Sequence, residues 1–112
     1  MTAAYQVLIY ARARKREELA GQVAACCQCA ALDNAGVSDV YTDIGSGRVL
    51  GDGLVRMLAD LQTEDVVGII VVSHSRISRD PAVYALVKDY LDAKGISIIT
   101  VPSQMTIGQT SQ

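Results

Sequence analysis

The stretch VVGIIVVSHSRISRDPAV, residues 66–83, passes from a greasy run to a helix start within one short loop. Near-continuous β-branched and aliphatic residues at 66–72 are the pattern of a strand covered on both faces. Asp80 followed by Pro81 is a strong helix start, because the carboxylate can accept from the first turn and proline suits the first helical position. Val83, Val87, Tyr90 and Leu91 give that helix an apolar stripe, Gly95 sits where a C-terminal glycine belongs, and ISIITV (96–101) reads as the next strand. Strand, loop, helix, strand is the unit of a parallel sheet.

Working outward, YQVLIY (5–10) and VSDVYTDI (37–44) read as two earlier strands. The first is nearly continuous and reads, like the last, as covered on both faces. The second alternates and is expected at an edge. Leu19, Val23, Cys26 and Ala30 mark one intervening helix and Leu54, Leu58 and Leu61 another, so all three helices are read as amphipathic. Gly36 is expected to end the first helix and Asp52 to cap the second. The fold class is therefore α/β, a mostly parallel four-stranded sheet flanked by helices in three layers, Rossmann-like or flavodoxin-like. Residues 1–112 form one domain in this reading, with 102–112 as a flexible polar tail.

Composition limits the function classes. Half the residues are hydrophobic and the net charge is -2, so the chain is no basic coat for nucleic acid, and any anion site must be local. No apolar run reaches the roughly 18 residues of a membrane span, and no basic leader with an apolar core opens the chain, which reads as cytoplasmic with no membrane partner. The three cysteines are crowded into CCQC (26–29) and suit reduced thiols rather than a secreted disulfide framework.

In such sheets the ligand cleft lies beyond the carboxyl ends of the strands, where the winding reverses. ARARKR (11–16) leaves the first strand and SHSRISRD (73–80) leaves the third, and they share one rim if those strands are neighbours. Arg12, Arg14, Lys15, Arg16, Arg76 and Arg79 are six of the ten Lys and Arg residues of the chain, which concentrates cation at that rim. Two readings follow from the pattern: loops charged for solvation, or a site where planar guanidinium forks grip a phosphate from two chain segments.

The order IYAR, a helix with Gln and Cys, YTDIGSG, GLVRMLADL, an apolar strand and SRISRDPAV resembles the catalytic domain of serine recombinases, the resolvase and invertase family, over roughly residues 6–101. RISRDPAV is its most specific part. The resemblance implies DNA strand cleavage by a serine hydroxyl through a phosphoserine intermediate, with arginines stabilising the phosphate and no metal or other cofactor. On that pattern Arg12 matches the first-motif arginine, Gln22 the helix glutamine, Cys26 a small core position, and Arg76 and Arg79 the paired arginines. Arg14 stands where the nucleophilic serine belongs, Ser75 replaces the usual aspartate, and Gly51 and Asp52 replace an arginine-proline pair, with Arg48 upstream. A guanidinium stays protonated and has no nucleophilic lone pair.

The expectation is a catalytically inactive serine-recombinase-like module that keeps a DNA-phosphate or anion cleft of Arg12, Arg14, Gln22, Arg76 and Arg79. Its expected partners are DNA held weakly by its backbone, a second copy, or a full-length recombinase. The alternative is an active recombinase or phosphoryl-transfer enzyme with a displaced serine among Ser46, Ser73, Ser75 and Ser78. Cys26, Cys27, Cys29 and His74 do not read as a zinc site, because successive helical residues point about 100° apart and four ligands must converge. GSGRVLGDG (45–53) lacks the lysine and spacing of a P-loop and reads as a mobile connecting loop.

Overall fold

The computed structural model describes residues 5–47, 50–61 and 65–102. The elements in chain order are β1 (Tyr5–Ala13), α1 (Leu19–Leu32), β2 (Ala35–Ile44), α2 (Asp52–Asp60), β3 (Gly68–Val71), α3 (Pro81–Ala93) and β4 (Ser97–Thr100), with single 3-10 turns at Arg16–Glu18 and His74–Arg76. The strands lie in the order β2-β1-β3-β4, every neighbouring pair parallel. The expected four-stranded α/β sheet is the one observed. Arg48 and residues 103–112, the greater part of the expected tail, fall outside the described residues.

Alternation along β1 builds two cores. Leu8 and Tyr10 point to the face covered by Leu54, Met57 and Leu61 of the α2 segment and Val87 and Leu91 of α3. Val7 and Ile9 point to the other face, against Cys26, Cys29 and Ala30 of α1. Because β1 feeds β2 on one side and the chain then returns to place β3 on the other, the winding reverses between β1 and β3. The cleft of an open parallel sheet belongs at the carboxyl ends of those two strands.

Several local expectations are corrected. β1 does not stop at Tyr10 but continues to Ala13, so Arg12 lies within a strand whose residues from Val7 onward are all buried. β4 is the second edge of the sheet and is half-buried to exposed, not covered on both faces. Gly36 lies in β2; α1 ends at Leu32, and Asn34 takes the left-handed conformation there at φ 56°. Asparagine tolerates that region better than most residues, so no glycine is needed. Gly95, at φ 75°, does follow α3 as expected. α1 carries no charge between Leu19 and Leu32 and exposes Ala20, Gly21, Ala24, Cys27, Gln28, Ala31 and Leu32, so its outer face is small and uncharged rather than amphipathic in the ordinary sense.

The two later helices start by different devices. Asp80 caps α3 locally, its Oδ1 accepting from the Ala82 N–H at 2.9 Å, with Pro81 in the first turn. Asp52 does not cap α2: it is the first helical residue, and Gly51 occupies the cap position. The capping carboxylate comes from β2, where Asp43 Oδ1 accepts from Gly53 N–H at 2.7 Å and Oδ2 from Leu54 N–H at 2.9 Å. A Cβ on Gly51 would meet that carboxylate and a Cβ on Gly53 would meet the Thr42 carbonyl oxygen. The glycines of GDG are thus the room that the strand needs against the helix.

Candidate functional site

β1 outruns β3, which pairs only with Val7–Ile9, so the backbone of Arg12 has no strand beside it on that edge. Gln22 of α1 takes the strand's place. Its Oε1 accepts from the Arg12 N–H at 3.2 Å and its Nε2 donates to the Arg12 carbonyl at 2.9 Å, the two bonds a neighbouring peptide would make. Both residues are buried.

The Arg12 side chain lies beside Asp43 in the β1–β2 register and is only 4% exposed. Its Nε donates to the Arg76 carbonyl at 2.9 Å, its Nη1 to the Gly45 carbonyl at 2.8 Å, and its Nη2 to the Ser75 carbonyl. Arg76 answers by donating from Nη1 to the Arg12 carbonyl at 3.2 Å. Burial lowers the Arg12 pKa from its ordinary value, and the nearby charges of Arg76 and Arg79 act in the same sense. The group still carries its proton at accessible pH.

Two recesses are lined by residues of the segments that follow β1 and β3. The larger, of about 500 Å³, is lined by Arg14, Ser46, Arg79 and Asp80. The other, of about 370 Å³, lies against α1 and is lined by Glu18, Gly21, Gln22, Ala25, Val72 and Arg76. The expectation of one rim holds, since β1 and β3 are neighbours, but the five candidate residues divide. Arg14 and Arg79 share a cavity, Gln22 and Arg76 share the second recess, and buried Arg12 is not among the residues that line either. Arg76 is half-buried, and its Nε is a buried donor with no hydrogen-bond partner among the described residues.

Sequence reasoning passed over three members of this arrangement. Asp43 stands out in neither VSDVYTDI nor YTDIGSG, yet it holds the start of α2 and accepts from the Tyr10 hydroxyl at 2.7 Å. Asp80 was read only as a cap, yet it also lines the larger cavity. Gly47 sits at φ 89°, and a Cβ there would collide with the Arg12 guanidinium, so this part of GSGRVLGDG is packed on Arg12 and is not a free loop. The Gly47 carbonyl accepts from the Arg79 N–H at 3.1 Å, which ties the loop after β2 to the loop after β3.

Of the hydroxyls, Ser46 lines the cavity with Arg14 and Arg79. Ser73 and Ser75 bond each other at 3.0 Å, and buried Ser78 accepts from the Asp80 N–H at 3.0 Å. Among the described residues no three His, Cys, Asp or Glu groups are placed to hold a metal ion, and no helix is long and apolar enough to cross a membrane.

The cysteines differ in exposure. Burial pushes the Cys26 thiol up to about 12, and burial raises Cys29 as well, whereas Cys27 is exposed. Since the thiolate is the reactive form, a thiol-specific reagent at about pH 8 should label one thiol rapidly and the other two only on unfolding. Peptide mapping of the first-labelled site to Cys26 or Cys29 would contradict this burial.

Residues 7–112 match the family model for the resolvase N-terminal domain. No curated protein matches the sequence. Among solved structures, the chain is similar to the N-terminal catalytic domain of TP901-1 integrase at 28% identity and TM-score 0.76, covering 86% of this chain and 76% of that one. The C-terminal catalytic domain of ISC1926 TnpA, an IS607-like serine recombinase, shares the fold at 20% identity and TM-score 0.79, over 91% of this chain and 74% of the other. A resolvase family site-specific recombinase from Streptococcus pneumoniae shares it at 21% identity and TM-score 0.75, over 87% and 72% of the two chains.

Proposed function

From the premise that this chain belongs to the resolvase N-terminal domain family, we propose that it is a catalytically silent member. It holds a phosphate of DNA between Arg14 and Arg79 and acts by binding, or by association with itself or an intact recombinase, rather than by cutting. The observation that carries this reading is Arg14 itself. It lines the cavity beside Ser46 and Arg79, at the position where the resemblance calls for the nucleophilic serine. A guanidinium offers phosphate oxygens a bidentate fork and offers phosphorus no lone pair. Such a site favours bound anion without attacking it.

The second reading rests on Ser46, a residue that lines the same cavity. In that reaction the Ser46 oxygen would form a bond to phosphorus and lose its proton, while the bond to the leaving sugar oxygen breaks and that oxygen gains a proton. A relocated nucleophile must still lie in line with the leaving group, and a misplacement of about 1 Å can cost a hundredfold. Incubation with supercoiled plasmid followed by a denaturing quench separates the two. We expect no nick that carries covalently bound protein. A protein-linked nick that disappears in Ser46→Ala would establish the enzyme and end the silent reading.

A further inference from the structure

We infer that Arg12 is a positioning residue for the cavity of Arg14 and Arg79, and not one of the groups that touch the bound anion. The inference rests on the phosphate reading of that cavity. A ligand arginine needs its fork exposed to the incoming oxygens, but Arg12 is 4% exposed and its three nitrogens all donate to backbone carbonyls. Those carbonyls belong to two separate loops, Gly45 after β2 and Ser75 and Arg76 after β3. The guanidinium therefore fastens together the segments on which Ser46 and Arg79 are carried.

The linkage can be followed residue by residue. Gln22 holds the Arg12 backbone from α1 by two bonds. The Arg12 side chain holds Gly45 and packs so closely on Gly47 that only glycine fits. Gly47 in turn accepts from the Arg79 N–H, which fixes the backbone that carries the cavity's second arginine. A planar fork can reach carbonyls in three directions at once, whereas a lysine presents one nitrogen on a flexible stem. Conserving charge at position 12 therefore does not conserve this function.

The test uses Arg12→Lys and Gln22→Met, the second altering a residue that lines the other recess and has no place in the cavity. Amide hydrogen exchange reads the Arg79 N–H, with Val87 and Leu91 in α3 as internal controls for global opening. A 30-base-pair duplex, titrated in low salt, reads anion affinity. Both variants should speed exchange at Arg79 while Val87 and Leu91 keep native protection, and both should weaken duplex binding about tenfold, as a displaced partner rather than a lost charge would. Native exchange at Arg79 with unchanged affinity in both variants would overturn the inference, since an arginine that merely contacts phosphate is largely replaced by lysine. If exchange at Arg79 speeds up but the wild type itself binds no duplex, the positioning of the loops by Arg12 stands and the phosphate reading of the cavity fails. Where Arg12→Lys does not fold, Gln22→Met carries the test alone.

Discussion

Asp43→Ala is expected to melt about 10–15 °C below the wild type, from a loss of about 3 kcal/mol in a domain of this size. One carboxylate on β2 accepts from the Gly53 and Leu54 N–H groups and from the Tyr10 hydroxyl. Removing a helix cap costs about 1 kcal/mol, and leaving a buried hydroxyl without its charged partner costs about 1–3 kcal/mol more. Against a total stability of roughly 5–15 kcal/mol this is a large share. Asp52→Ala is the control, because Asp52 makes no side-chain cap, and an exposed change of that kind should stay within about 0.5 kcal/mol. Equal melting temperatures for the two variants would mean that α2 is not held from the strand.

The same cluster sets an alkaline limit. Burial foremost, then the hydrogen bond to Asp43 and its charge, raises the Tyr10 pKa from the ordinary value near 10. A raised folded-state value means that the folded protein holds this proton more tightly than the unfolded chain. Its contribution is therefore complete below about pH 10 and is lost as pH rises above it. Wild-type stability should fall from about pH 10 upward, and Tyr10→Phe, though less stable at neutrality, should show a shallower fall over that window. Tyr84, also raised chiefly by burial, remains in both proteins and cancels in the comparison. Parallel slopes would remove Tyr10 from this account.

What could be read from the sequence divides along the line between Asp80 and Asp43. Asp80 announces α3 because the group it caps is two residues away, and a local hydrogen bond leaves a local signature. Asp43 caps a helix ten residues on, through the placement of β2 against α2, and no short motif encodes that. The sheet, its order of elements and the neighbouring ends of β1 and β3 were legible because hydrophobic runs and breaks report them directly. Arg12 was legible as a member of the cleft but not in its setting. Charge normally ends a buried strand, and here that rule yields to carbonyls from chain segments 33, 63 and 64 residues away, which satisfy the guanidinium inside.

That setting also changes what salt should do to DNA binding. With Arg12 enclosed, the cations proposed to meet phosphate are Arg14 and Arg79, which line the cavity, and Lys15 and Arg16, which are exposed beside Arg14. Two to four contacts give a slope of log affinity against log salt of roughly -2 to -4, at about -0.9 per phosphate neutralised. The double variant Arg14→Ala/Arg79→Ala should lower the magnitude of that slope by about 1.8, two contacts' worth, and weaken binding alike for duplexes of any sequence, since backbone contacts carry no base information. A double variant with the wild-type slope would place the DNA elsewhere on the chain. No binding at low salt by the wild type would remove the phosphate ligand altogether and leave protein association as the part of the proposed function still standing. The measurement is decisive because the chain is net acidic at -2. Diffuse attraction to DNA is absent at that charge, so any steep salt dependence must come from a few cations gathered in one place.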